Sequence, residues 1–404
     1  MADILFLAHR IPYPPDRGDK IRSWHVLRHL ASLGRVHLAC FADDEADAAH
    51  LPALREALGD SLGEAHVEVR SRGKAGAGLR ALVGGRPVSL SLFDSPHLRA
   101  FVERRLAGGA IGTIFAYSGQ MAQFVPEGAR QRFIMDFGDV DSAKFAQYAE
   151  DGAGPMRWVN RREGEKLFAF ERATAARADL CLFVSEAEAA LFRAKTGLHN
   201  IKALSNGIDV DFFAPDAGFP RLDDKLSGAG PLILFTGQMD YVPNIDAVTW
   251  FARDVLPRVP GARFAIAGRN PPAAVRALAG ESVIVTGAVP DMRAWLAAAD
   301  LVVAPLKLAR GIQNKVLEAM AMAKPVVASS AAFEGIEAVP GRDLLLADDA
   351  AGMAEAIRRL LADPARAAAM GAAARRQMET CYRWDVRLAP LAGIVDPSGR
   401  RKAA

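Results

Sequence analysis

The chain has 404 residues, of which 51% are hydrophobic and 24% are charged, a composition typical of a globular protein with two or three domains. Its 50 basic and 47 acidic residues leave a formal charge of +3, too small an excess to indicate a nucleic-acid-binding protein. The cysteines Cys40, Cys181 and Cys381 are far apart and show neither a disulfide framework nor zinc-ligand spacing. His9 and Arg10 interrupt the N-terminal apolar run, which argues against a signal peptide. We therefore expect a cytoplasmic protein, soluble or peripheral on the inner face of a membrane.

Short apolar runs alternate with longer amphipathic segments along the chain, as in parallel sheets with crossover helices. The predicted strands of the first half are Asp3–Ala8, Val36–Phe41, Ala65–Val69, Thr113–Tyr117, Phe133–Asp136 and Leu180–Val184. Those of the second half are Leu232–Thr236, Arg263–Ala267, Val283–Thr286, Leu301–Ala304 and Pro325–Ser329. Helices are predicted at Lys20–Leu33, Gly164–Ala178, Met353–Arg376 and Tyr382–Ile394. This alternation predicts an α/β protein with two doubly wound, Rossmann-like domains.

The two predicted domains are separated by a segment, residues 211–230, that is rich in Pro, Gly and Asp and has no periodicity. We therefore predict an N-terminal domain over residues 1–212, a linker over 213–230, a second domain over 231–380 and a C-terminal helix and tail over 381–404. Open parallel sheets bind ligands at the carboxyl ends of their strands, so we expect the active site between the two domains.

Residues 70–105 are locally basic, with eight lysines and arginines, two acids and interleaved apolar residues. Such a segment fits an anionic membrane surface. A solvated basic face has the same composition, so both interpretations stay open.

The most informative stretch, residues 309–328, joins a predicted strand through a Gly-containing turn to a helix that starts near Asn314, a good N-cap residue. Such a helix start offers free N–H groups and a positive dipole end to a phosphate. Lys315 lies in the first turn, where the dipole disfavours a cation unless an anion binds beside it. Glu318 follows on the same face. The alternative is a surface ion pair between Lys315 and Glu318.

At these residues the chain resembles the retaining GT-B glycosyltransferases of family 4. The segments that carry the resemblance are Glu318-Ala319-Met320-Ala321 with Pro325-Val326-Val327-Ala328, then Leu204–Pro215, Phe235–Asp240, Val285–Asp291, Ala299–Pro305 and Phe183–Glu188, in matching order. The opening Ala8–Arg22 and the run Arg310–Glu318 resemble, more closely, the sugar transferases associated with exosortase/PEP-CTERM and exopolysaccharide gene clusters. The resemblance implies a GT-B fold, with domains facing across a cleft and C-terminal helices that cross back to the first domain.

The resemblance also implies a donor site in the second domain. It assigns Glu318 to the ribose hydroxyls of a nucleotide diphosphate sugar and Val289 to the base, and it places Gly237 in the first strand turn. The loop that contacts phosphate and sugar would be formed by Gly311, Ile312, Gln313 and Asn314.

This sequence departs from the family pattern at several of these positions. Arg310 stands where the pattern has its first glutamate, Gln238 stands where an Arg is expected after Gly237, and the expected Lys falls near Asn244. Two phosphate-binding cations are therefore absent from their usual places. We infer that Lys315, together with Arg310, supplies the charge that stabilises the leaving group.

Candidate residues in the first domain also lie near strand ends. Gly18 follows a Pro-rich turn and opens a helix, which indicates either a second anion site or an ordinary turn. Asp136 and Asp139 lie at the end of a predicted strand, where the family often carries an acid or His that faces the donor. Helix N-capping is the competing interpretation for Asp139 and for Asp141.

We therefore predict a retaining hexosyltransferase that uses a nucleotide diphosphate sugar and a lipid-linked or polysaccharide acceptor in exopolysaccharide biosynthesis. We expect no cofactor and no metal, because the literal Asp-x-Asp match at Asp139–Asp141 lies away from the nucleotide loop. The alternatives are a nucleotide-sugar epimerase or hydrolase of the same architecture, and a non-catalytic GT-B subunit that supports a partner transferase.

Overall fold

The computed structural model describes residues 2–70, 85–152, 154–220, 222, 230–309 and 311–396. The chain divides into two compact units, one formed by Met1–Ser205 with Leu388–Ala404 and the other by Asn206–Arg387. Within the described ranges no helix is long and apolar enough to cross a membrane.

The first unit is built on a seven-stranded parallel sheet with the order β3-β2-β1-β4-β5-β6-β7. Its strands are β1 (Asp3–Ala8), β2 (Val36–Ala42), β3 (Leu62–Val69), β4 (Ile111–Tyr117), β5 (Arg132–Gly138), β6 (Leu180–Phe183) and β7 (Ile201–Ala203). The helices are α1 (Gly18–Leu33), α2 (Glu45–Ala48), α3 (Leu51–Leu58), α4 (Val88–Leu92), α5 (Pro96–Ala107), α6 (Asp141–Asp151), α7 (Pro155–Arg177) and α8 (Glu186–Thr196). Short 3₁₀ turns span Gly59–Ser61 and Gly119–Phe124.

The second unit has a six-stranded parallel sheet with the order β10-β9-β8-β11-β12-β13. Its strands are β8 (Leu232–Thr236), β9 (Arg263–Ala267), β10 (Val283–Gly287), β11 (Leu301–Ala304), β12 (Val326–Ala328) and β13 (Leu345–Leu346). The helices that follow are α9 (Val242–Trp250), α10 (Ala273–Arg276), α11 (Met292–Ala298), α12 (Asn314–Ala321), α13 (Ser330–Phe333), α14 (Ala350–Ala362), α15 (Pro364–Gln377), α16 (Trp384–Leu388) and α17 (Pro390–Val395), the last of which belongs to the first unit. A 3₁₀ turn (Leu256–Arg258) and two π-helical turns (Phe251–Val255 and Met378–Tyr382) complete the list.

The central strands are mostly apolar because helices cover both faces of each sheet. All seven residues of β2 and all five residues of β8 are buried. In the first unit, the ring of Phe183 stacks on Phe137 with centroids 5.3 Å apart, and Phe192 packs against Phe183 at 5.0 Å. The fold class predicted from the sequence is therefore confirmed, and strands β1, β8, β9 and β11 have the predicted bounds.

Each sheet reverses its strand order at one point, between β1 and β4 in the first unit and between β8 and β11 in the second. Helices leave the sheet in opposite directions on the two sides of such a point, which opens a crevice at the carboxyl ends of the two strands. A ligand site in the second unit is therefore expected among the residues that follow β8 and β11.

The unit boundaries differ from the predicted domain boundaries at residues 206–212 and 381–387, both of which belong to the second unit and not to the first. Ile208 and Val210 belong to its apolar core, and the Ile208 N–H donates to the carbonyl of Tyr382 at 2.6 Å. Of the predicted linker, residues 213–220 contain no helix or strand. In the first unit the C-terminal segment packs on the sheet, where Arg132 Nε donates to the Ile394 carbonyl at 2.6 Å.

Candidate active site

Two glycines, Gly237 and Gly268, lie against each other at the carboxyl end of β8, so neither residue covers the backbone there with a side chain of its own. Gly237 follows β8, and its N–H donates to the Ala267 carbonyl at the end of β9 at 3.0 Å. A Cβ on Gly268 would lie 1.6 Å from the Gly237 carbonyl oxygen, so no larger residue fits at Gly268. A Cβ on Gly237 would lie 2.8 Å from Asn244 Nδ2 and 3.1 Å from Lys315 Nζ. The backbone turn thus lies directly against two polar side chains.

Lys315 extends from the first turn of α12 to this turn. Its Nζ donates to Asn244 Oδ1 at 2.6 Å and lies 4.2 Å from the centroid of the Phe235 ring. Asn244 in turn donates through Nδ2 to the Gln238 carbonyl at 2.8 Å. Burial lowers the pKa of Lys315 to about 7, although the nearby Glu318 carboxylate opposes this effect. Among the described residues, the direct contacts of the ammonium group are therefore an amide and a ring, and not a carboxylate.

Glu318 lies one turn further along α12. Among the described residues its carboxylate forms no hydrogen bond and no ion pair closer than 4 Å, so the predicted alternative of a surface ion pair with Lys315 is not observed. Burial raises the pKa of Glu318 to about 7, and Lys315 limits this rise. An acceptor group without a protein partner at this position can receive hydrogen bonds from a ligand diol.

The loop before α12 presents backbone to the same region. Gly311 has φ +65°, a left-handed conformation that favours glycine, and Gln313 Nε2 donates to the Gly311 carbonyl at 3.2 Å. Ile312 is buried. Gln313, and not Asn314 as predicted, is the N-cap, and no side chain caps the helix. The Val316 N–H donates to the Gln313 carbonyl at 2.9 Å. Among the described residues the N–H groups of Asn314 and Lys315 have no such acceptor and are available to an anion. Arg310 lies outside the described residues.

Two further predicted donor residues belong to neighbouring turns. Gln238 is exposed, and its contact with Asn244 is through its carbonyl oxygen. Val289 follows β10 and is partly buried against the core of the second unit. Asn244, which stands near the position of the expected lysine, accepts the hydrogen bond from Lys315, a contact that the sequence does not predict.

In the first unit, Asp136 is fully buried in an ion pair. Arg22 Nη2 lies 2.9 Å from Asp136 Oδ2, Arg22 Nε donates to the same oxygen at 3.0 Å, and the Gly138 N–H donates to Oδ1 at 3.1 Å. Burial raises the pKa of the Asp136 carboxyl, and the Arg22 guanidinium opposes that rise. Both carboxylate oxygens of Asp136 thus accept hydrogen bonds within the protein, from Arg22 and from Gly138. The Arg22 contact joins β5 to α1, which suits a structural role for Asp136.

Asp139 lies beyond the end of β5 and is only partly buried. Its Oδ2 accepts from Lys144 Nζ at 2.8 Å, and Asp141 Oδ1 accepts from the same ammonium at 3.1 Å. Burial alone would lower the pKa of Lys144, but the Asp139 and Asp141 carboxylates raise it above its usual value. Asp139 Oδ1 has no hydrogen-bond partner in the described structure. Val140 is the N-cap of α6 and no side chain caps that helix, so the N-capping alternative for Asp139 and Asp141 is not observed.

Gly18 is the first residue of α1, beside a cluster of charges at the ends of β1 and β2. Arg10 donates to Asp19 at 2.6 Å and to Asp43 at 3.1 Å, and Arg17 donates to Asp43 at 2.6 Å. The predicted anion site at Gly18 therefore contains arginines that are already paired with carboxylates. Across the described residues no group of three or more His, Cys, Asp or Glu side chains is placed to hold a metal ion.

Comparisons with known proteins identify similar sequences and similar solved structures. Residues 230–363 match the family model described as "Glycosyl transferases group 1". The GDP-mannose-dependent alpha-(1-6)-phosphatidylinositol monomannoside mannosyltransferase of Mycolicibacterium smegmatis is 29% identical over 245 residues, which cover 56% of this chain and 64% of the relative. A GDP-mannose-dependent mannosyltransferase for the monoacylated form in Corynebacterium glutamicum is 26% identical over 55% of this chain and 63% of its own. The matches thus span just under two thirds of each relative.

Solved structures match over nearly the whole chain. Sucrose-phosphate synthase from Thermosynechococcus elongatus has a TM-score of 0.70 at 18% identity and covers 100% of both chains. Anabaena HepE, solved in complex with UDP, has a TM-score of 0.68 at 18% identity and covers 98% of this chain and 100% of its own. The chain therefore has the GT-B fold, and residues 230–363 match the group 1 glycosyl transferases.

Proposed function

We propose that the protein is a retaining glycosyltransferase that moves a hexose from a nucleotide diphosphate sugar to a lipid-linked or polysaccharide acceptor. The observation that carries the proposal is the Lys315 ammonium, which Asn244 holds beside the turn after β8. It lies one helical turn before Glu318, whose carboxylate has no hydrogen bond from the part of the chain that the structure describes. Both α12 residues lie within the matched range 230–363. A cation whose described partner is a neutral amide, and a carboxylate that receives no hydrogen bond from the described residues, suit a diphosphate and a ribose, respectively.

Bond cleavage in this reaction leaves negative charge on the diphosphate, so the site must stabilise a leaving group. Lys315 and the uncapped N–H groups of α12 supply positive charge at a fixed position. Glu318 accepts hydrogen bonds from the ribose hydroxyls and so fixes the nucleotide. Asp139, with one oxygen free of hydrogen bonds, is the proposed acidic residue on the acceptor side, and Arg310 is proposed to assist Lys315.

We also propose that this chemistry needs no metal ion, because Lys315 and the helix start provide the charge that a metal would otherwise supply. Turnover that persists in EDTA is the expected result, whereas loss of turnover with EDTA and recovery with Mg²⁺ would contradict it. Retention is tested separately by NMR of the anomeric configuration of the product.

The acceptor part of the proposal is supported by the curated relatives, whose names describe mannosyl transfer to phosphatidylinositol mannosides. A lipid-linked acceptor requires access to a membrane, so we propose action at the cytoplasmic face. The exopolysaccharide role and the exosortase/PEP-CTERM association rest on the resemblance of residues 8–22 and 310–318.

Several arginines of the basic stretch at residues 70–105, the predicted membrane surface, form ion pairs in the structure. Residues 71–84 lie outside the described residues. Arg70 pairs with Asp43, and Arg104 and Arg105 both pair with Glu64, at 3.1 and 2.6 Å. Cations that are already paired attract anionic lipid less strongly, so the described part of the stretch favours the alternative of a solvated face.

The proposed function is tested by ligand-induced thermal stabilisation, because a ligand that binds the native state raises Tm. The panel contains GDP, UDP, GDP-mannose, UDP-glucose and other nucleotide diphosphate sugars. We expect a shift with one diphosphate nucleotide and its sugar in the wild type, and loss of that shift in Glu318→Ala. Glu355→Ala is the matched control, because Glu355 pairs with Arg358 and Arg359 on the exposed side of α14.

The outcomes separate the alternatives that the sequence leaves open. No stabilisation by any nucleotide would contradict the donor site. Stabilisation without transfer would favour the non-catalytic subunit. Release or isomerisation of the sugar without an acceptor would favour the hydrolase or the epimerase.

A further inference from the structure

The connection between α6 and α7 exposes large apolar side chains. Met156 is 59% exposed and Trp158 is 61% exposed, and Val159 and Tyr148 are also exposed. Asn160 Nδ2 lies 3.5 Å from the Tyr148 carbonyl, which places the end of α6 against the start of α7. We call Tyr148 and residues 154–162 the α6–α7 tip.

The first turns of α7 are exposed on every side. All six residues from 154 to 159 are exposed, so this end of the helix projects from the body of the unit. A helix end surrounded by water is ordinarily polar all round. Here Met156, Trp158 and Val159 occupy three of the six positions. Such a concentration of apolar surface indicates a partner.

The same tip is cationic. Pro155–Arg162 contains Arg157, Arg161 and Arg162 and no acid. Arg157 and Arg161 make no side-chain hydrogen bond or ion pair with described residues, and Arg162 reaches the carbonyl of the exposed Arg86 at 3.5 Å. This contrasts with the paired arginines of residues 70–105. Uncommitted guanidinium groups next to Trp and Met combine phosphate recognition with apolar insertion.

We propose that the α6–α7 tip is a docking surface for an anionic lipid bilayer. Trp158 and Met156 enter the boundary between head groups and acyl chains, and Arg157 and Arg161 contact lipid phosphates. The tip is too small for a stable protein interface, which takes about 20 to 30 residues from each partner. A bilayer needs only a few inserted side chains and adjacent positive charge.

Vesicle co-sedimentation of the full-length protein tests the proposal. We expect binding to vesicles of phosphatidylcholine mixed with phosphatidylglycerol, and little binding to phosphatidylcholine alone. Arg157→Gln with Arg161→Gln weakens binding roughly twenty-fold, because each basic residue near an anionic surface contributes about five-fold. Met156→Ser with Trp158→Ser weakens it about ten-fold or more, in line with lost apolar burial.

Matched controls come from the second unit. Val339→Ser with Val386→Ser removes two side chains of similar exposure, and Arg253→Gln with Arg366→Gln removes two exposed charges. Both control pairs are expected to bind vesicles as the wild type does. Because all these positions are exposed, Tm is expected to stay unchanged in every variant, which separates docking from folding.

Tryptophan fluorescence gives an independent readout. Trp24, Trp295 and Trp384 are buried, and Trp250 is partly buried against the core of the second unit. A blue shift and quenching by brominated lipid therefore report mainly on the exposed Trp158. Trp158→Phe is expected to bind vesicles while losing most of this signal.

Three results would overturn the proposal. In the first, the wild type does not bind anionic vesicles. In the second, the Met156→Ser, Trp158→Ser variant binds them as well as the wild type does. In the third, the wild type is a dimer that this double substitution converts to a monomer. The last result would assign the tip to a second copy of the chain. None of these results depends on sugar transfer, so failure here is distinguishable from failure of the proposed function.

Discussion

Asn244→Ala is expected to shift the pH dependence of catalysis, because it removes the acceptor of the 2.6 Å hydrogen bond from Lys315. A hydrogen bond to a charged group contributes about 1.5 to 3 kcal/mol, and about 1.4 kcal/mol corresponds to one pKa unit. Loss of this bond therefore lowers the pKa of Lys315 by about 1 to 2 from its value of about 7. The ammonium form is then scarce at neutral pH.

The quantity to measure is kcat/KM, since its pH profile reports ionisation of the free enzyme. In the wild type the profile is expected to rise as Glu318 ionises and to fall as Lys315 loses its proton, because both groups have a pKa of about 7. In Asn244→Ala the falling limb moves toward acid, and kcat/KM near neutral pH drops by about five- to fifty-fold, because about half of Lys315 is protonated there in the wild type. The bound diphosphate favours the ammonium, so kcat changes less than kcat/KM.

Two further variants make this test directional. Asn244→Asp places a carboxylate against the ammonium, which raises the pKa of Lys315 and moves the falling limb toward alkali. Gln377→Ala is the control. Gln377, the last residue of α15, is an amide of the same unit, and it donates to the Glu337 carbonyl and not to Lys315. A falling limb that stays in place in both Asn244 variants, or a profile that is flat from about pH 6 to 9, would refute the role of Lys315 as a protonated group.

Three other predictions concern single side chains. Lys315→Ala is expected to lower kcat by about 10² to 10³ with Tm unchanged, as for loss of one charge-stabilising group; steady-state kinetics with an intact kcat would contradict the assignment. Asp139→Asn is expected to lower kcat by about 10² or more while its amide still accepts from Lys144, and unchanged turnover would remove Asp139 from the mechanism. Arg22→Met leaves Asp136 buried without its partner and is expected to destabilise the first unit by about 3 to 5 kcal/mol. Burial raises the pKa of Asp136, so this loss, measured by thermal unfolding, grows as pH rises and the carboxyl ionises; a loss that is independent of pH would contradict it.

The strands could be predicted closely where both sheet faces are covered. Such strands are continuous apolar runs, which is why Leu232–Thr236 and Leu301–Ala304 have the predicted bounds. Strands β7 and β13 were not predicted, because three and two residues carry no pattern. Residues 206–212 were assigned to the first domain because their packing against Tyr382 joins segments far apart in the chain.

The candidate site could be predicted only in part, because some of its contacts also join segments that are far apart in the chain. Lys315 and Glu318 are recognisable from local spacing on one helix. The choice between Asp136 and Asp139 depends on Arg22, which is 114 positions from Asp136. The contact of Asn244 with Lys315 joins residues 71 positions apart. Local patterns identify which residue types are present, but they do not identify which of them already have partners.

The departures from the family pattern are explained together by the position of one ammonium. The resemblance leads one to expect two cations after β8, but the sequence has Gln238 and Asn244 there. In the structure Lys315 Nζ lies 3.1 Å from where a Cβ on Gly237 would be, so a cation reaches the same turn from α12. A lysine in place of Asn244 would bring a second ammonium against the first, at an energetic cost that burial increases. Asn244 instead accepts a hydrogen bond from Lys315 and donates one to the backbone. Asn244 therefore stands where a lysine is expected because Lys315 of α12 already brings an ammonium to this turn. The two residues form a hydrogen-bonded pair that together replaces the expected lysine.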